Sequence, residues 1–296
     1  MHEPQVTQSM DCKVIAFTNQ AGGVGKSTTV VNTATFLAEK YRVAVIDFDG
    51  QQTTTMNFGV NPYNCEFSVH DALIDPKKHS FKDLIVKTDY NVDLIPASEE
   101  LYAVDITLVN YIGRESRLKK FLEPARRKYD FILIDLPPSL GLIQVNGLNA
   151  SDYVVIICQA HPKSFNGLNM LLKTIAHVQK ELNEDLKILG TLVTIFEKRA
   201  RVCQKTLDKL MTFEPLKNNI LETIIHKNVT LAEAGHVAEE DTDHGIAILG
   251  KPIKYFDTAK SSAGYEDYEK FANEVVTLIE KYEQRAELEK QPAGIL

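Results

Sequence analysis

The chain has 296 residues, of which 44% are hydrophobic and 25% charged, and its formal net charge is −7 at pH 7. This composition is typical of a soluble globular protein with a sizeable core, and the acidic balance excludes a protein whose whole surface attracts nucleic acid or anionic membrane. The longest apolar runs are much shorter than the roughly eighteen residues of a membrane-spanning helix, and the N-terminus lacks a signal peptide's apolar segment, so we expect a cytoplasmic protein. The four cysteines include no C-x-x-C pair, which argues against a zinc site or a disulfide framework.

Apolar runs typical of buried strands alternate with helical patterns along most of the chain. Strands are predicted at 13–18, 43–49, 92–96, 131–135, 153–158, 187–196 and 220–225, and helical segments at 30–40, 68–74, 81–85, 114–128, 139–150, 164–181, 200–211, 231–234 and 257–282. Continuous rather than alternating hydrophobicity in the strands indicates a parallel sheet that is covered on both faces. We therefore predict one α/β domain over 13–285, with a mostly parallel central sheet flanked by helices on both faces. Residues 1–12 are predicted to be a disordered extension and residues 286–296 a flexible tail.

A glycine-rich turn separates the first predicted strand from the first helix. Strand, glycine turn and helix in this order are what a phosphate-binding loop requires, because glycines let backbone N–H groups turn toward the phosphates. We expect Lys26 to place its ammonium group on the β- and γ-phosphates and the Ser27 hydroxyl to take one position on Mg²⁺. The chain is thus predicted to be a P-loop NTPase. Its nucleotide-binding residues are predicted to be Gly22, Gly23, Val24, Gly25, Lys26, Ser27 and Thr28.

Carboxylates end two of the predicted strands. Asp135 ends the apolar run at 131–135, as in a Walker B strand, and Asp47 and Asp49 end the run at 43–49. Ligands of open α/β sheets bind at the carboxyl edge, so Asp135 is expected to hold Mg²⁺ directly or through water. Asp47 and Asp49 are candidates to orient a water molecule or to support the metal, while the alternative is that one of them caps the next segment.

Several motifs resemble those of one superfamily of P-loop ATPases. The loop at 22–27, G-G-V-G-K-S, resembles the deviant Walker A motif K-G-G-x-G-K-S/T of the ParA/MinD superfamily. The segment D-F-D-G-Q at 47–51 resembles its Walker A′ motif D-x-D-P-Q, with a glycine where proline is usual. Three further segments resemble those of the ParA/Soj branch, namely D-L-P-P-S-L-G at 135–141, N-V-T-L-A-E-A at 228–234 and G-K-P-I at 250–253.

The resemblance implies an activity and a set of partners, and it identifies residues 13–285 as a ParA-like ATPase domain. Proteins of this family hydrolyse ATP with weak intrinsic activity, form a homodimer around two ATP molecules, and bind DNA without sequence preference in that state. A ParB-like or analogous adaptor stimulates hydrolysis and releases them, which positions a plasmid, chromosome or organelle cargo. The resemblance therefore implies ATP and Mg²⁺ as cofactors, and a cytoplasmic, nucleoid-associated protein without a membrane partner. It also implies that Asp49 positions the attacking water beside the metal, with Asp47 and Lys26 completing the catalytic set.

Basic residues cluster around the helix predicted at 200–211. With the resemblance, they predict a DNA interface made of Arg199, Arg201, Lys205 and Lys227. An interface that ignores sequence needs little more than a cationic strip facing the phosphates. The alternative interpretation is an ordinary solvated basic face.

The chain departs from the family pattern at the place of the leading lysine, which holds the uncharged Ala21. In the family that lysine reaches across the dimer to the partner's nucleotide, and some carboxysome-positioning relatives also lack it. Lys163 follows the strand predicted at 153–158 and should emerge at the carboxyl edge, so it is our candidate substitute; a solvated loop lysine explains it equally well. A second departure is an insertion at 237–249, interpreted as a surface loop rather than as a metal site using its two histidines.

Two other functions are compatible with the fold. A MinD-like membrane-cycling ATPase should end in a basic amphipathic helix, whereas residues 287–296 are polar and interrupted by Pro292. An electron-transfer or metabolic enzyme of the iron-protein type needs cysteines that bridge a cluster, and the cysteine positions in this chain do not resemble that pattern.

Overall fold

The computed structural model describes residues 11–290, and its centre is an eight-stranded sheet. The strands of this sheet are β1 (Lys13–Thr18), β2 (Val43–Asp47), β3 (Val86–Lys87), β4 (Val92–Ile95), β5 (Phe131–Asp135), β6 (Tyr153–Gln159), β7 (Lys187–Phe196) and β8 (Ile220–His226). Their spatial order is β3-β4-β2-β5-β1-β6-β7-β8, and only the β3–β4 pair in this sheet is antiparallel. The predicted fold class, a mostly parallel sheet of the P-loop NTPase type, is confirmed.

Helices cover both faces of the sheet. They are α1 (Lys26–Leu37), α2 (Thr53–Asn57), α3 (Val69–Ile74), α4 (Val104–Thr107), α5 (Arg117–Leu122), α6 (Leu142–Ala150), α7 (Phe165–Glu181), α8 (Arg201–Thr212), α9 (Val229–Ala234), α10 (Ile253–Phe256) and α11 (Ala263–Lys290). None of these helices is both long and apolar enough to cross a membrane.

Alternate residues of the central strands enter two separate cores. In β1, Val14 and Ala16 join the core beneath α3 and α5 to α8, whereas Ile15 and Phe17 join the core beneath α1 and α11. Because both faces are covered, a central strand is apolar at nearly every position, which is the pattern that made these strands recognisable in the sequence.

The carboxyl ends of the central strands coincide. In the strand register Phe17 of β1 and Asp47 of β2 both lie opposite Asp135 of β5. The loops that follow these strands therefore leave the sheet side by side, which is where α/β folds bind ligands.

The sheet edge formed by β8 is protected by acidic side chains of α11. Glu274 accepts hydrogen bonds from the backbone N–H groups of Glu222 (2.7 Å) and Thr223 (3.0 Å), and Asp267 accepts one from that of His226 (2.8 Å). Satisfying these donors internally removes a template on which another strand would pair.

Several predicted boundaries are wrong for identifiable reasons. The helix predicted at 114–128 breaks after α5, because Pro124 has no N–H to continue it and a separate 3-10 turn follows. The last helix begins only at Ala263, since the Asp257 carboxylate accepts the N–H groups of residues 261 and 262 in a turn before it. It then continues to Lys290, so the first part of the predicted tail, 286–290, is helical. Residues 1–10 and 291–296 of the predicted extension and tail lie outside the described residues.

The predicted loop at 237–249 is exposed but ordered as an antiparallel hairpin of β9 (Ala238–Thr242) and β10 (Gly245–Leu249). The two histidines considered for a metal site, His244 in the hairpin and His236 just before it, have separate partners. His236 forms a 2.7 Å hydrogen bond with Glu239, and His244 stacks on Tyr63 with ring centroids 4.7 Å apart. Within residues 11–290, no group of three or more histidine, cysteine, aspartate or glutamate side chains is arranged to hold a metal ion by itself.

Candidate nucleotide site

The loop between β1 and α1 forms one wall of a cleft of about 930 Å³. All of the predicted nucleotide-binding residues from Gly22 to Thr28 line this cleft. Gly23 and Gly25 have φ angles of 73° and 83°, in the left-handed region that side chains other than glycine rarely adopt. No side chain caps the N–H groups at the start of α1, so this helix end is available to an anion.

Lys26 lies between two carboxylates at the floor of the cleft. Its side chain is only 7% exposed; its Nζ forms an ion pair with Asp135 and lies 3.8 Å from Oδ2 of Asp49. Three predicted site residues from three separate segments are thus brought together. The two carboxylates neutralise the Lys26 ammonium group. Because Lys26 also lines the cleft, its side chain can rotate from them to a phosphate.

The structure adds Thr54 to the site. Its hydroxyl donates a 2.6 Å hydrogen bond to Oδ2 of Asp135, the carboxylate oxygen that Lys26 does not use. Asp135 is completely buried, and the two donors compensate for its removal from water. Thr54 was not predicted from the sequence, because a threonine in the run at 53–55 belongs to no motif.

Asp47 lies behind the cleft rather than in it. It is completely buried, and one of its oxygens accepts hydrogen bonds from the backbone N–H (2.8 Å) and the hydroxyl (2.7 Å) of Thr55. Burial and the neighbouring Asp135 carboxylate raise the pKa of Asp47 to about 7. Asp47 therefore holds the start of α2 in place behind Asp49, and it does not line the cleft.

The oxygen donors at one end of the cleft fit a magnesium ion. Ser27 and Asp49 line the cleft and Asp135 lies beneath them, so a hydroxyl and carboxylates converge there. Hard oxygen donors of this kind are those that Mg²⁺ prefers, together with phosphate and water oxygens.

The opposite wall of the cleft comes from the carboxyl ends of β7 and β8 and from α9 and α11. Thr194 donates a 2.7 Å hydrogen bond to the carbonyl of Val24, which ties this wall to the phosphate-binding loop. Ile195 has a φ angle of 51°, a strained conformation for a β-branched residue. Asn228 and Tyr268 also line the wall. Sequence analysis recognised the segment at 228–234 as a motif but did not assign it to the nucleotide.

Lys163 is exposed in a 3-10 turn at Pro162–Ser164, directly after β6. It lines a small pocket together with Gln20 and Ala21, beside the nucleotide cleft rather than within it. Lys163 therefore lies near Ala21, the position at which the family has its leading lysine.

The predicted DNA-binding residues lie in two places. Arg201 and Lys205 occupy exposed positions one turn apart on α8, and Arg199 is exposed just before that helix. Lys227 instead lies at the rim of the nucleotide cleft, where its Nζ is 2.9 Å from a carboxylate oxygen of Glu197.

The family model described as an AAA domain matches residues 12–188. Among curated proteins, the sporulation initiation inhibitor protein Soj of Bacillus subtilis is 40% identical over 265 residues, which cover 89% of this chain and 98% of Soj. The chromosome partitioning protein ParA of Myxococcus xanthus is 34% identical over 258 residues, which cover 86% of this chain and 85% of ParA.

Solved structures lead to the same fold. Cobyrinic acid a,c-diamide synthase from Mycobacterium smegmatis, solved with ADP and magnesium, superposes with a TM-score of 0.71 at 29% identity, covering 88% of this chain and 93% of the synthase. A plasmid partition protein from Borrelia burgdorferi superposes with a TM-score of 0.65 at 26% identity, covering 88% of this chain and 97% of that protein. The relatives match nearly the whole domain, and four of the five segments that carry the resemblance contribute residues to one cleft, namely 22–27, 47–51, 135–141 and 228–234. The chain belongs to the ParA/Soj family of P-loop ATPases.

Proposed function

We propose that this protein is an ATP-hydrolysing positioning protein that forms an ATP-bound homodimer, binds DNA without sequence preference and is released when an adaptor stimulates hydrolysis. The observation that carries the proposal is the meeting of Lys26, Asp135 and Asp49 at the floor of a cleft walled by the phosphate-binding loop. The similarity to two chromosome-partitioning proteins over most of the chain supports the cellular role.

In the proposed reaction ATP binds with its phosphates against the loop at 22–28. Lys26 turns from Asp135 to the β- and γ-phosphates, and Ser27, Asp49 and Asp135 are the residues that would hold Mg²⁺. The metal, when bound, neutralises charge that develops on the phosphate oxygens. Asp49 lines the cleft and orients the attacking water toward the γ-phosphate, while buried Asp47 keeps α2 and the Asp49 loop in place.

A homodimer is supported by the apolar surface beside the cleft. Tyr102, Ile106 and Leu140 are exposed by 61, 79 and 42%. Tyr102 and Ile106 belong to a segment that contacts the loops after β2 and β5, and Leu140 lies in the loop after β5. Apolar side chains gathered on one side of a protein mark an interaction surface. A second copy placed there would also bring two triphosphates close together, and Lys163 would supply the cation that Ala21 lacks.

DNA binding is assigned to the basic surface of α8 and the loop before it. Arg199, Arg201 and Lys205 are exposed, and none of the ion pairs found among residues 11–290 uses them. Cations that are not already neutralised can replace the counterions of DNA phosphates without first breaking an internal pair. With this binding, the protein would be cytoplasmic and nucleoid-associated.

The proposal is tested by measuring binding of the full-length protein to random-sequence duplex DNA and to liposomes of anionic lipid, each with ATP and with ADP. We expect binding to DNA with ATP and Mg²⁺ only, falling steeply with salt, and no nucleotide-dependent sedimentation with liposomes. Equal DNA binding with ADP would contradict the proposal, and ATP-dependent liposome binding would replace it with the membrane-cycling alternative.

A further inference from the structure

The loop that carries Asp49 is covered by an aromatic ring from a distant segment. Gly50 packs beneath the ring of Tyr102, so closely that a Cβ atom on Gly50 would lie 3.0 Å from two ring carbons and 3.1 Å from a third. Such distances are shorter than ordinary van der Waals contact, so the ring would have to move for any side chain at this position. The Tyr102 ring can therefore occupy this position only because residue 50 has no side chain.

Hydrogen bonds extend this contact to Asp49 itself. The side-chain amide of Gln51 donates to the Tyr102 hydroxyl, and the Gln51 backbone N–H donates a 3.0 Å hydrogen bond to Oδ1 of Asp49. The other oxygen of Asp49 is the one that faces Lys26. Burial and the nearby Asp49 carboxylate raise the pKa of Tyr102, so that its hydroxyl stays protonated. The ring and hydroxyl of Tyr102 thus act on the orientation of the carboxylate that lines the cleft.

The segment that carries Tyr102 is also fastened to the loop after β5. We call residues 99–107 the bridging segment; it consists of a 3-10 turn at Glu99–Ala103 and α4. Asp105 accepts a 2.7 Å hydrogen bond from the backbone N–H of Leu142, and a Cβ atom on Gly141 would lie 2.6 Å from Asp105 Oδ2. The bridging segment therefore contacts both the loop that carries Asp49 and the loop that follows Asp135.

We propose that Tyr102 is a positioning residue for ATP hydrolysis, which holds the loop at 49–51 so that Asp49 points into the cleft. This inference rests on the proposed role of Asp49 in orienting water. Tyr102 does not itself line the cleft, so it acts on the rate of the chemical step rather than on ATP binding. The space for its ring exists because residue 50 is glycine.

The first test compares Tyr102→Phe with the wild-type full-length protein. The variant keeps the ring over Gly50 and loses only the hydroxyl that accepts from Gln51. We expect kcat to fall about fivefold, the effect of one lost neutral hydrogen bond on the barrier. The affinity for a non-hydrolysable ATP analogue, the elution volume with that analogue and the melting temperature should remain those of the wild type.

The matched control is Tyr63→Phe. Tyr63 donates a 2.8 Å hydrogen bond to Glu99, at the start of the same bridging segment, but no hydrogen bond found among residues 11–290 joins it to the loop at 49–51. A purely structural role of the bridging segment predicts that both tyrosine variants lose activity alike. Positioning of Asp49 predicts that only Tyr102→Phe does.

The second test is a double-mutant cycle between positions 50 and 102. Gly50→Ala should lower kcat about five- to tenfold because its Cβ displaces the ring, and it should have no further effect in a Tyr102→Ala background. An equal loss from Gly50→Ala in both backgrounds, or wild-type kcat in Tyr102→Phe, would overturn the inference. Asp49→Ala is measured alongside; if it hydrolyses ATP normally, the proposed role of Asp49 fails and the inference with it. Slow hydrolysis in Asp49→Ala with normal hydrolysis in Tyr102→Phe removes the inference alone.

Discussion

At the scale of single residues, the site depends on which groups the Lys26 ammonium contacts, the carboxylates of the protein or the phosphates of a nucleotide. Its ammonium group forms an ion pair with Asp135 and lies near Asp49, and its side chain is 7% exposed. A nucleotide must therefore compete with these carboxylates for the lysine. This competition favours ATP with Mg²⁺, because the metal can compensate the carboxylates when the lysine turns away.

Substitutions at this cluster should separate binding from hydrolysis. Asp49→Ala should still bind ATP but hydrolyse it about 10²–10⁴-fold more slowly, because it loses the group that orients water. Lys26→Ala should instead weaken ATP binding itself, since it removes the cation that holds the phosphates. Equilibrium binding and phosphate release measure the two effects, with Asp89→Ala, an exposed carboxylate away from the cleft, as the control. Undiminished turnover in Asp49→Ala would remove its proposed role.

Asp47 should make stability depend on pH in an unusual direction. Its pKa of about 7 in the folded protein is higher than the 3.8 of an unperturbed aspartate, so between these values the folded state binds more protons than the unfolded state. Its contribution to the free energy of unfolding is therefore fully present below about pH 4 and is lost as pH rises to about 7. The free energy of unfolding of Asp47→Asn, relative to that of the wild type, should therefore increase from about pH 4 to about pH 7 and stay constant above pH 7.

The measurement is urea denaturation of both proteins without nucleotide at a series of pH values. A difference in the free energy of unfolding that stays constant from pH 4 to 8 would contradict the raised pKa. Asp89→Asn, with its exposed carboxylate, provides the baseline for a surface group.

At the scale of secondary structure elements, the features that could be predicted are those that a local sequence pattern specifies. The central strands were recognised because nearly all of their residues are apolar and buried. The phosphate-binding loop was recognised because its left-handed backbone positions require glycine. The hairpin was missed because β9, A-E-E-D-T, has the composition of a solvated loop and is held by pairing with β10. The far wall of the cleft was also missed. Thr194 and Tyr268 join it only through packing between distant segments, which no local pattern records.

The surface of α8 should determine affinity for DNA but not the response to nucleotide. Replacing Arg199, Arg201 and Lys205 with Ala should weaken binding equally on all sequences. If each cation neutralises one phosphate, the log–log dependence on salt should become less steep by about 0.9 for each. Lys119→Ala with Lys120→Ala, an exposed basic pair on α5, is the control. Unchanged affinity in the α8 variant would assign DNA binding to another surface.

At the scale of the whole molecule, exposed apolar side chains lie on the segment that contacts the loop of Asp49. This is the bridging segment, in which Tyr102 contacts the Asp49 loop while Ile106, four residues later, is 79% exposed. A second copy bound to these side chains would therefore also change the position of the loops at which ATP is hydrolysed. Assembly and activity are expected to be coupled for this reason.

The role of Lys163 should appear as a change in assembly. On the Asp49→Ala background, with ATP and Mg²⁺, Lys163→Ala should abolish the dimer because two facing triphosphates lack a second cation. Adding Ala21→Lys should restore part of it, since a lysine there can supply the missing charge. Light scattering coupled to gel filtration measures the mass, and Lys173→Ala, an exposed lysine on α7, is the control. A normal dimer in the Lys163→Ala protein would show that Lys163 is not the substitute.

If Asp49 orients the attacking water, ATP hydrolysis should set how long the ATP-bound protein stays on DNA. The most direct measurement is the dissociation rate of ATP-loaded protein from random-sequence duplex DNA after dilution into competitor DNA, for the wild type and for Asp49→Ala. We expect the wild type to dissociate from DNA at the rate at which it hydrolyses ATP. The dissociation rate of Asp49→Ala should be lower than that of the wild type by the same factor as its rate of hydrolysis. Equal dissociation rates for the two proteins would contradict the claim.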